Sequence, residues 1–370
     1  MKHFGFFFTL LLIIYAAGTA YVLYRGYVWS PFRGEVLKWI CIIAGSFFML
    51  SFPLMNMIPL PWPGIQAVWM KLSYTWLVFV LYAFMLLLVV DIASGVLHLF
   101  RIRCGIPLPV RSVLWFAGLA LIAALLVTGN LKYRNFVRRE VDLGFPKPVK
   151  MLAISDLHLG LLVDAKRLEK FVEAINREHP DVILIAGDLV DRSISHVQEQ
   201  GMGEILRRIE TTLGVYAIPG NHEFYAGEEE TFAWMENQGI TVLRDSVVMI
   251  PGVAYILGRE DQSAPERKTL REIWENSPYA GQPRELPLIV MDHQPTKTNE
   301  AVEFGVDLQL SGHTHAGQIW PVSYIVKKAN DLFYGEYAKG KTLFYVTSGL
   351  AIWGPPYRIG VARSEYVVIQ

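Results

Sequence analysis

Cysteine is nearly absent: Cys41 sits in an apolar run and Cys104 in a short basic loop, which excludes a disulfide framework and leaves redox compartment unassigned. Excess charge of either sign is also missing. Lys plus Arg and Asp plus Glu both number 34 in 370 residues, so no globally basic surface argues for nucleic acid as a partner. Internal repeats and low-complexity segments are lacking too. Apolar residues are abundant at 52%, but they are unevenly placed. Up to about residue 131, Phe, Leu, Ile, Val, Trp and Ala dominate; from about residue 148 the composition is mixed and charged. The chain therefore divides into residues 1–131, a 132–148 linker beside the membrane, and a domain over 149–370.

Four apolar stretches, 4–24, 36–58, 69–97 and 113–131, are each long enough to cross a hydrocarbon core, which needs about 20 helical residues. The first follows Lys2 but is longer than a signal-peptide core and ends at Tyr24 and Arg25 without a small-residue cleavage site, so it reads as a span. Pro59, Pro61 and Pro63 around Trp62 suit an interfacial turn between the second and third spans. Four spans place both termini on one side. Lys2, Lys132, Arg134, Arg138 and Arg139 favour a cytoplasmic C-terminal domain over the nearly balancing Arg25, Arg33, Arg101, Arg103 and Arg111. The basic 132–139 segment would either meet anionic headgroups or be an ordinary stop-transfer flank. Asp91 is the one acid within the apolar runs; a position near an interface is preferred to a role in transport.

Beyond the linker, short apolar runs at 149–154, 182–186, 215–218, 288–291 and 308–310 predict buried strands alternating with helical patterns, an α/β architecture. Helices are expected over 164–178, with Asp164 as N-cap, and over 228–238, ended by Gly239. Further strands are expected at 241–248, 254–257, 343–347 and 359–368. Polar residues follow the five buried runs: Asp156 and His158; Asp188; Asn221 and His222; His293; His313 and His315. Ligands bind beyond the carboxyl ends of strands in α/β sheets, so these side chains are expected to converge on one crevice. Gly187, Gly220 and Gly312 adjoin three of those ends and suit sharp turns.

A lone histidine at a strand end is usually a hydrogen-bonded edge residue, but five of the nine histidines fall in these positions. With Asp156, Asp188 and Asn221 they form an imidazole and oxygen set suited to manganese, iron or zinc. The set is large enough for two ions if one carboxylate bridges them, a pair that lowers the pKa of bound water towards about 7 and grips both oxygens of a phosphate displacement.

These motifs resemble the calcineurin-like metallophosphoesterases. Asp156-Leu157-His158, Gly187-Asp188-Leu189-Val190-Asp191, Gly220-Asn221-His222-Glu223, His293 and Gly312-His313-Thr314-His315 match that family's D-x-H, GD-x-x-D, GNH-D/E, single His and GH-x-H in order, over a resemblance reaching from residue 149 to the end. Asp292-His293-Gln294-Pro295 and the 311–319 string are similar to the membrane-associated subgroup that includes UDP-2,3-diacylglucosamine pyrophosphatases. The resemblance implies a four-layered α/β/β/α sandwich. It implies that Asp156, His158 and His315 hold one ion, that Asn221, His293 and His313 hold the other, and that Asp188 bridges. Manganese is favoured among the metals. His222 would be the catalytic proton or hydrogen-bond donor. Asp191 would orient a ligand, its alternative being a helix cap or surface acid.

Gly258-Arg259-Glu260-Asp261 departs from the subgroup, which tends to an uncharged residue followed by paired aspartates. Arg259 is a candidate phosphate grip or part of a solvated face. The 255–282 region is a candidate lid, with Trp274 covering substrate or packing. His3, His98, His179 and His196 read as structural or solvent-facing. Together these readings predict a multi-pass, membrane-anchored phosphohydrolase acting on a phosphoester or pyrophosphate, with a lipid-linked substrate and membrane lipids as partners. A generic phosphodiesterase is the alternative. A transporter with a metal-binding regulatory domain would need more polar spans than Asn56, Asp91 and scattered Ser and Thr supply, and a scaffold without turnover would have no use for His222. Oligomeric state has no sequence signal.

Overall fold

The computed structural model describes all residues except Met1, Arg33, Asn56 and residues 102–105, and no side chains at residues 2–8. Arg33, Arg103, Cys104, Asn56 and the side chains of Lys2 and His3 thus lie outside the described residues. The chain forms two compact units, residues 1–129 and 130–370.

The first unit is built from α1 (Lys2–Trp29), α2 (Glu35–Leu54), α3 (Pro63–Leu99) and most of α4 (Leu108–Arg134). All four are long and apolar enough to cross a membrane. Pro63 opens α3 behind Trp62, where its missing N–H costs no hydrogen bond. At 37 residues, α3 is about 55 Å long against a hydrocarbon core of about 30 Å, so as a membrane span it would tilt or extend beyond the core. Asp91 lies near the end of α3. It pairs with Arg25, and Tyr21 Oη donates to it at 2.6 Å. The one acid of the apolar runs is thus neutralised from α1, giving it a packing role between two helices. Tyr15 stacks obliquely on Phe52 and donates to Phe48 O, tying α1 to α2.

The second unit alternates β1 (Val137–Val141), β2 (Met151–Ile154), α5 (Ala165–Arg177), β3 (Val182–Ile185), α6 (Ile194–Glu199), α7 (Met202–Leu206), β4 (Val215–Ala217), α8 (Asn221–Ala226), α9 (Glu228–Asn237) and β5 (Ile240–Val242). It continues with β6 (Ser246–Ile250), β7 (Ala254–Gly258), α10 (Leu270–Glu275), β8 (Leu288–Met291), α11 (Thr298–Phe304), β9 (Leu308–Ser311), α12 (Ser323–Ala329), β10 (Gly335–Lys339), β11 (Thr342–Val346) and β12 (Glu365–Ile369). Among the described residues these strands make two six-stranded sheets, ordered β1-β12-β2-β3-β4-β5 and β10-β11-β9-β8-β7-β6.

Strand parity produces the layers. On β2, Met151 and Ala153 face the core between the sheets, while Leu152 and Ile154 face the helical layer that holds Leu168 and Phe171 of α5 and Met235 of α9. On β8, Ile289 and Met291 join the same central core, while Leu288 and Val290 face Leu270 and Ile273 of α10 and Ala301 of α11. Two sheets share one apolar interior and each is covered outside by helices, the α/β/β/α order expected. Asp164 caps α5 by accepting from Arg167 N, and Gly239 follows α9 with φ +83°.

Three expected elements differ. The 132–148 linker contains β1, which pairs in parallel with β12 at the sheet edge. There Arg138 pairs with Glu140 and Glu178, and Arg139 with Glu365, so the two arginines expected to face headgroups are committed within the unit. The 241–248 run splits into β5 and β6, which belong to different sheets, at Asp245, whose φ is +42°. The 359–368 run forms a strand only from Glu365, because Arg358 and Ile359 are drawn into loop contacts with residues 315–320.

Candidate metal centre

Three strand ends of the first sheet and two of the second supply the site, so the crevice lies where the two sheets meet. Asp156 and His158 follow β2, Asp188 follows β3, and Asn221 and His222 open α8 beyond β4. His293 follows β8, and His313 and His315 follow β9. The structure brings all eight together, and every one except the half-buried His313 is buried.

Among the described residues three groups of ligand atoms form: one, His158 with Asp191 and His222, surrounds the candidate proton donor, and the other two hold the expected ligands. Asp156, His158 and His315 make one, with His158 Nε2 3.1 Å from His315 Nε2 and the two rings 3.9 and 3.5 Å from Asp156 Oδ1. Asp188, His293 and His313 make the other, with Asn221 Oδ1 3.0 Å from His313 Nδ1. Asp188 lies between them, its Oδ2 3.6 Å from His158 Nε2 and 3.2 Å from His293 Nε2. That last pair is close but makes no hydrogen bond, so His293 Nε2 is a buried polar atom without a partner, while Nδ1 donates to Ala186 O at 2.8 Å. Buried polar atoms rarely stay unpaired. Imidazole nitrogens facing one another and an orphaned Nε2 facing a carboxylate fit cations held in both groups.

The electrostatics agree. Burial opposes charge on Asp188, but His293, His158 and His222 outweigh it and hold the carboxyl well below its usual range. Burial, reinforced by His158 and Arg358, keeps His315 neutral far below the ordinary imidazole value; burial and His293 lower His313. Neutral rings offer the lone pairs that a cation needs. For His293, burial is outweighed by the charge of Asp188, and its pKa rises well above the usual value.

His222 is held differently. Its Nδ1 donates to Asp191 O at 2.7 Å and lies 3.1 Å from Asp191 Oδ1, which leaves Nε2 to face a substrate. Burial disfavours the imidazolium, but Asp191 and Asp188 raise its pKa to about 9. Asp191 also lies 3.7 Å from His158 Nδ1, so one carboxylate orients a ligand candidate and the candidate proton donor together.

The loops carrying these groups are strained and tightly fitted. Asp156, His158, Asp188, His313 and His315 all have positive φ, between 46° and 66°. Such conformations cost non-glycine residues on the order of 1–3 kcal/mol each and persist only where surroundings impose them. Of the three adjoining glycines, only Gly187 has positive φ, at +88°. Gly220 and Gly312 serve close approach instead of a sharp turn: a Cβ there would collide with Asp188 and with Asp156 and Ser155.

Two buried residues outside the expected set hold this geometry. Glu223 accepts from Asp188 N, Gly220 N and Val190 N at 3.1, 2.8 and 3.0 Å; burial and the nearby Asp188 raise its pKa to about 7 against those donors. Arg358 donates to His315 O at 2.9 Å, Ala351 O at 2.8 Å and Ser348 O, with Nε bound to Ser364 Oγ. Burial lowers its pKa to about 10. The sequence signal for Glu223 was its place in Gly220-Asn221-His222-Glu223; Arg358 had none.

Arg259 does not join the site. Its fork is occupied by Asp292, Glu300 and Lys268 O, and the residue is 4% exposed. Neither the candidate phosphate grip nor the solvated face holds, and Arg259 instead steadies the end of β8 beside His293. Trp274 packs against Tyr255, Tyr279 and Phe304, so the candidate lid region starts in β7 and its helix α10 packs in the outer helical layer. His98 and His179 are exposed and His196 half-buried, and none of the three belongs to a ligand group.

Comparison with known proteins matches residues 149–317 to the calcineurin-like phosphoesterase family. An uncharacterized metallophosphoesterase of Aquifex aeolicus is 30% identical over 223 residues, covering 57% of this chain and 80% of the relative. The chain belongs to the calcineurin-like metallophosphoesterases. An uncharacterized metallophosphoesterase of Helicobacter pylori is 34% identical over 233 residues, 60% of each chain. A Danio rerio transmembrane protein with metallophosphoesterase domain is 32% identical over 268 residues, 66% of this chain and 61% of that protein. This metallophosphoesterase thus spans about 60% of the length of these last two relatives. The family depends on two metal ions, and the two ligand groups are where this member would hold them.

Proposed function

We propose that the chain is a membrane-anchored phosphohydrolase that cleaves a phosphoester or pyrophosphate bond with two divalent ions. The observation that carries this reading is the pair of ligand groups on either side of Asp188, with His222 beside them. Asp156, His158 and His315 would hold one ion, Asn221, His293 and His313 the other, and Asp188 both. The ions would supply Lewis acidity, activating water and neutralising charge on the phosphate. The protein's share is positional. Strained loops fix the donors, Asp191 aims His222, and His222 Nε2 donates to the phosphate or the departing oxygen. A ring held mostly protonated at neutral pH is suited to donating.

The substrate we favour is lipid-linked, of the UDP-diacylglucosamine type, because apolar helices in the same chain would tether the catalytic unit to a membrane. We place the catalytic unit on the cytoplasmic side, following the Lys and Arg distribution, and favour manganese.

The test is hydrolysis of bis-p-nitrophenyl phosphate by the full chain in detergent, stripped of metal and resupplied with manganese, iron or zinc, beside Asp188→Ala. Turnover requiring both metal and Asp188 is expected; failure to bind metal would sink the reading. UDP-2,3-diacylglucosamine in mixed micelles then tests the substrate. A kcat/KM no better than for the soluble diester would remove the lipid part.

A further inference from the structure

One face beside the metal centre is neither packed nor uniformly polar. Between β9 and β10, Trp320, Val322, Tyr324 and Ile325 are 39%, 42%, 61% and 70% exposed, and Lys327 and Lys328 of α12 are exposed next to them. Ser323 faces inward, so α12 turns its apolar side to the surroundings. Trp353 is 47% exposed and its ring lies 5.9 Å from that of His222, which puts this face at the rim of the site.

A hydrogen-bonded run joins the face to the last turns of α4. Gln318 Nε2 donates to Trp353 O at 3.0 Å and Pro355 O at 2.8 Å, and Asn130 Nδ2 donates to Pro356 O at 2.8 Å. Asn130 lies in the last turns of α4, where the final apolar helix enters this unit.

We propose that Trp320 to Lys328, with Trp353, form an interfacial lip that rests in the headgroup layer of an anionic bilayer. Trp and Tyr favour the boundary between headgroups and acyl chains, aliphatic side chains such as Ile325 reach below it, and flanking lysines meet anionic lipid phosphates. Lys327 and Lys328 supply the charge such a surface needs, and the apolar helices of the same chain would tether the unit to a bilayer. The proposal rests on the apolar helices and stands apart from the choice of substrate.

The experiment uses the full chain, with Cys41→Ser and Cys104→Ser, reconstituted in phosphatidylcholine nanodiscs with or without phosphatidylglycerol. An environment-sensitive fluorophore is attached at Ile325→Cys or, as reference, at Leu213→Cys, an exposed position before β4 at the opposite end of that strand from the site. Acyl-chain doxyl lipids are expected to quench the label at 325 several-fold more than at 213, and more with phosphatidylglycerol present. Equal quenching at the two positions would overturn the lip, and quenching indifferent to phosphatidylglycerol would overturn its anionic character. Repeating the measurement with Asp188→Ala separates the outcomes: quenching retained without turnover keeps the lip independent of the phosphoesterase reading.

Discussion

Arg358 is a guanidinium with no carboxylate in hydrogen-bond contact, fully buried and spent on main-chain oxygens of the loops that carry His315 and flank Asp156. A lysine keeps the charge but has no planar fork, so Arg358→Lys leaves at least one buried carbonyl without a donor. We expect Arg358→Lys to lose about 10–100-fold in metal affinity or activity, as when other groups supporting metal ligands are removed. Metal titration alongside kcat and KM checks this, and unchanged values would make the residue a packing element only. His222→Ala should behave oppositely: turnover falling by about 10²–10⁴-fold with metal content intact, since a proton donor and not a ligand has been removed. The contrast explains what was legible. Candidate ligands declare themselves because their chemistry restricts residue type and because each follows an apolar run. Arg358 and Glu223 act on backbone atoms, which leave no pattern in a sequence, and Arg259 was misleading because charge alone does not reveal that Asp292 and Glu300 already occupy it.

At the scale of elements, the strands that carry the site were legible because burial on both faces makes them continuously apolar. The edge strand β1, Val-Arg-Arg-Glu-Val, has three exposed polar residues and reads as a linker; its partner β12 is more than 200 residues away, so only the fold pairs them. The split of residues 241–248 was hidden for a related reason, since local propensity does not say which sheet a residue joins. The strand-to-loop junctions, by contrast, are fitted so closely that one methyl group matters. Gly220 has ordinary φ, so alanine would be tolerated by the backbone, but its Cβ would meet both the amide and the carboxylate of Asp188. Gly220→Ala is therefore expected to cost about 1–3 kcal/mol of stability through overpacking and to displace the bridging candidate. Denaturant unfolding and metal titration would read both effects; full metal affinity in a stable variant would show that the junction can relax.

At the scale of the molecule, the second unit gathers acids and imidazoles at one end of two sheets and stabilises them only in part. His158 Nδ1, His293 Nε2, His315 Nδ1 and Asp191 Oδ1 are buried without hydrogen-bond partners. An ion bound beside Asp188 would give His293 Nε2 its partner, and because ions bind the folded chain each raises its stability by about 2.7 kcal/mol at a free concentration a hundredfold above Kd. Chelation should therefore lower the unfolding temperature of the second unit, and Asp188→Ala should remove most of the difference. The pH dependence follows from His293. Its pKa is raised in the ion-free chain, so the protonated ring persists to higher pH than an ordinary imidazole and must lose that proton before Nε2 can bind a cation. Binding thus releases a proton, and affinity must weaken as pH falls and strengthen as it rises towards the raised pKa. Calorimetric titration of manganese in two buffers of different ionisation enthalpy would detect the release. Binding heats that do not depend on buffer would show that His293 is already neutral, leaving its Nε2 free to take the ion without exchange.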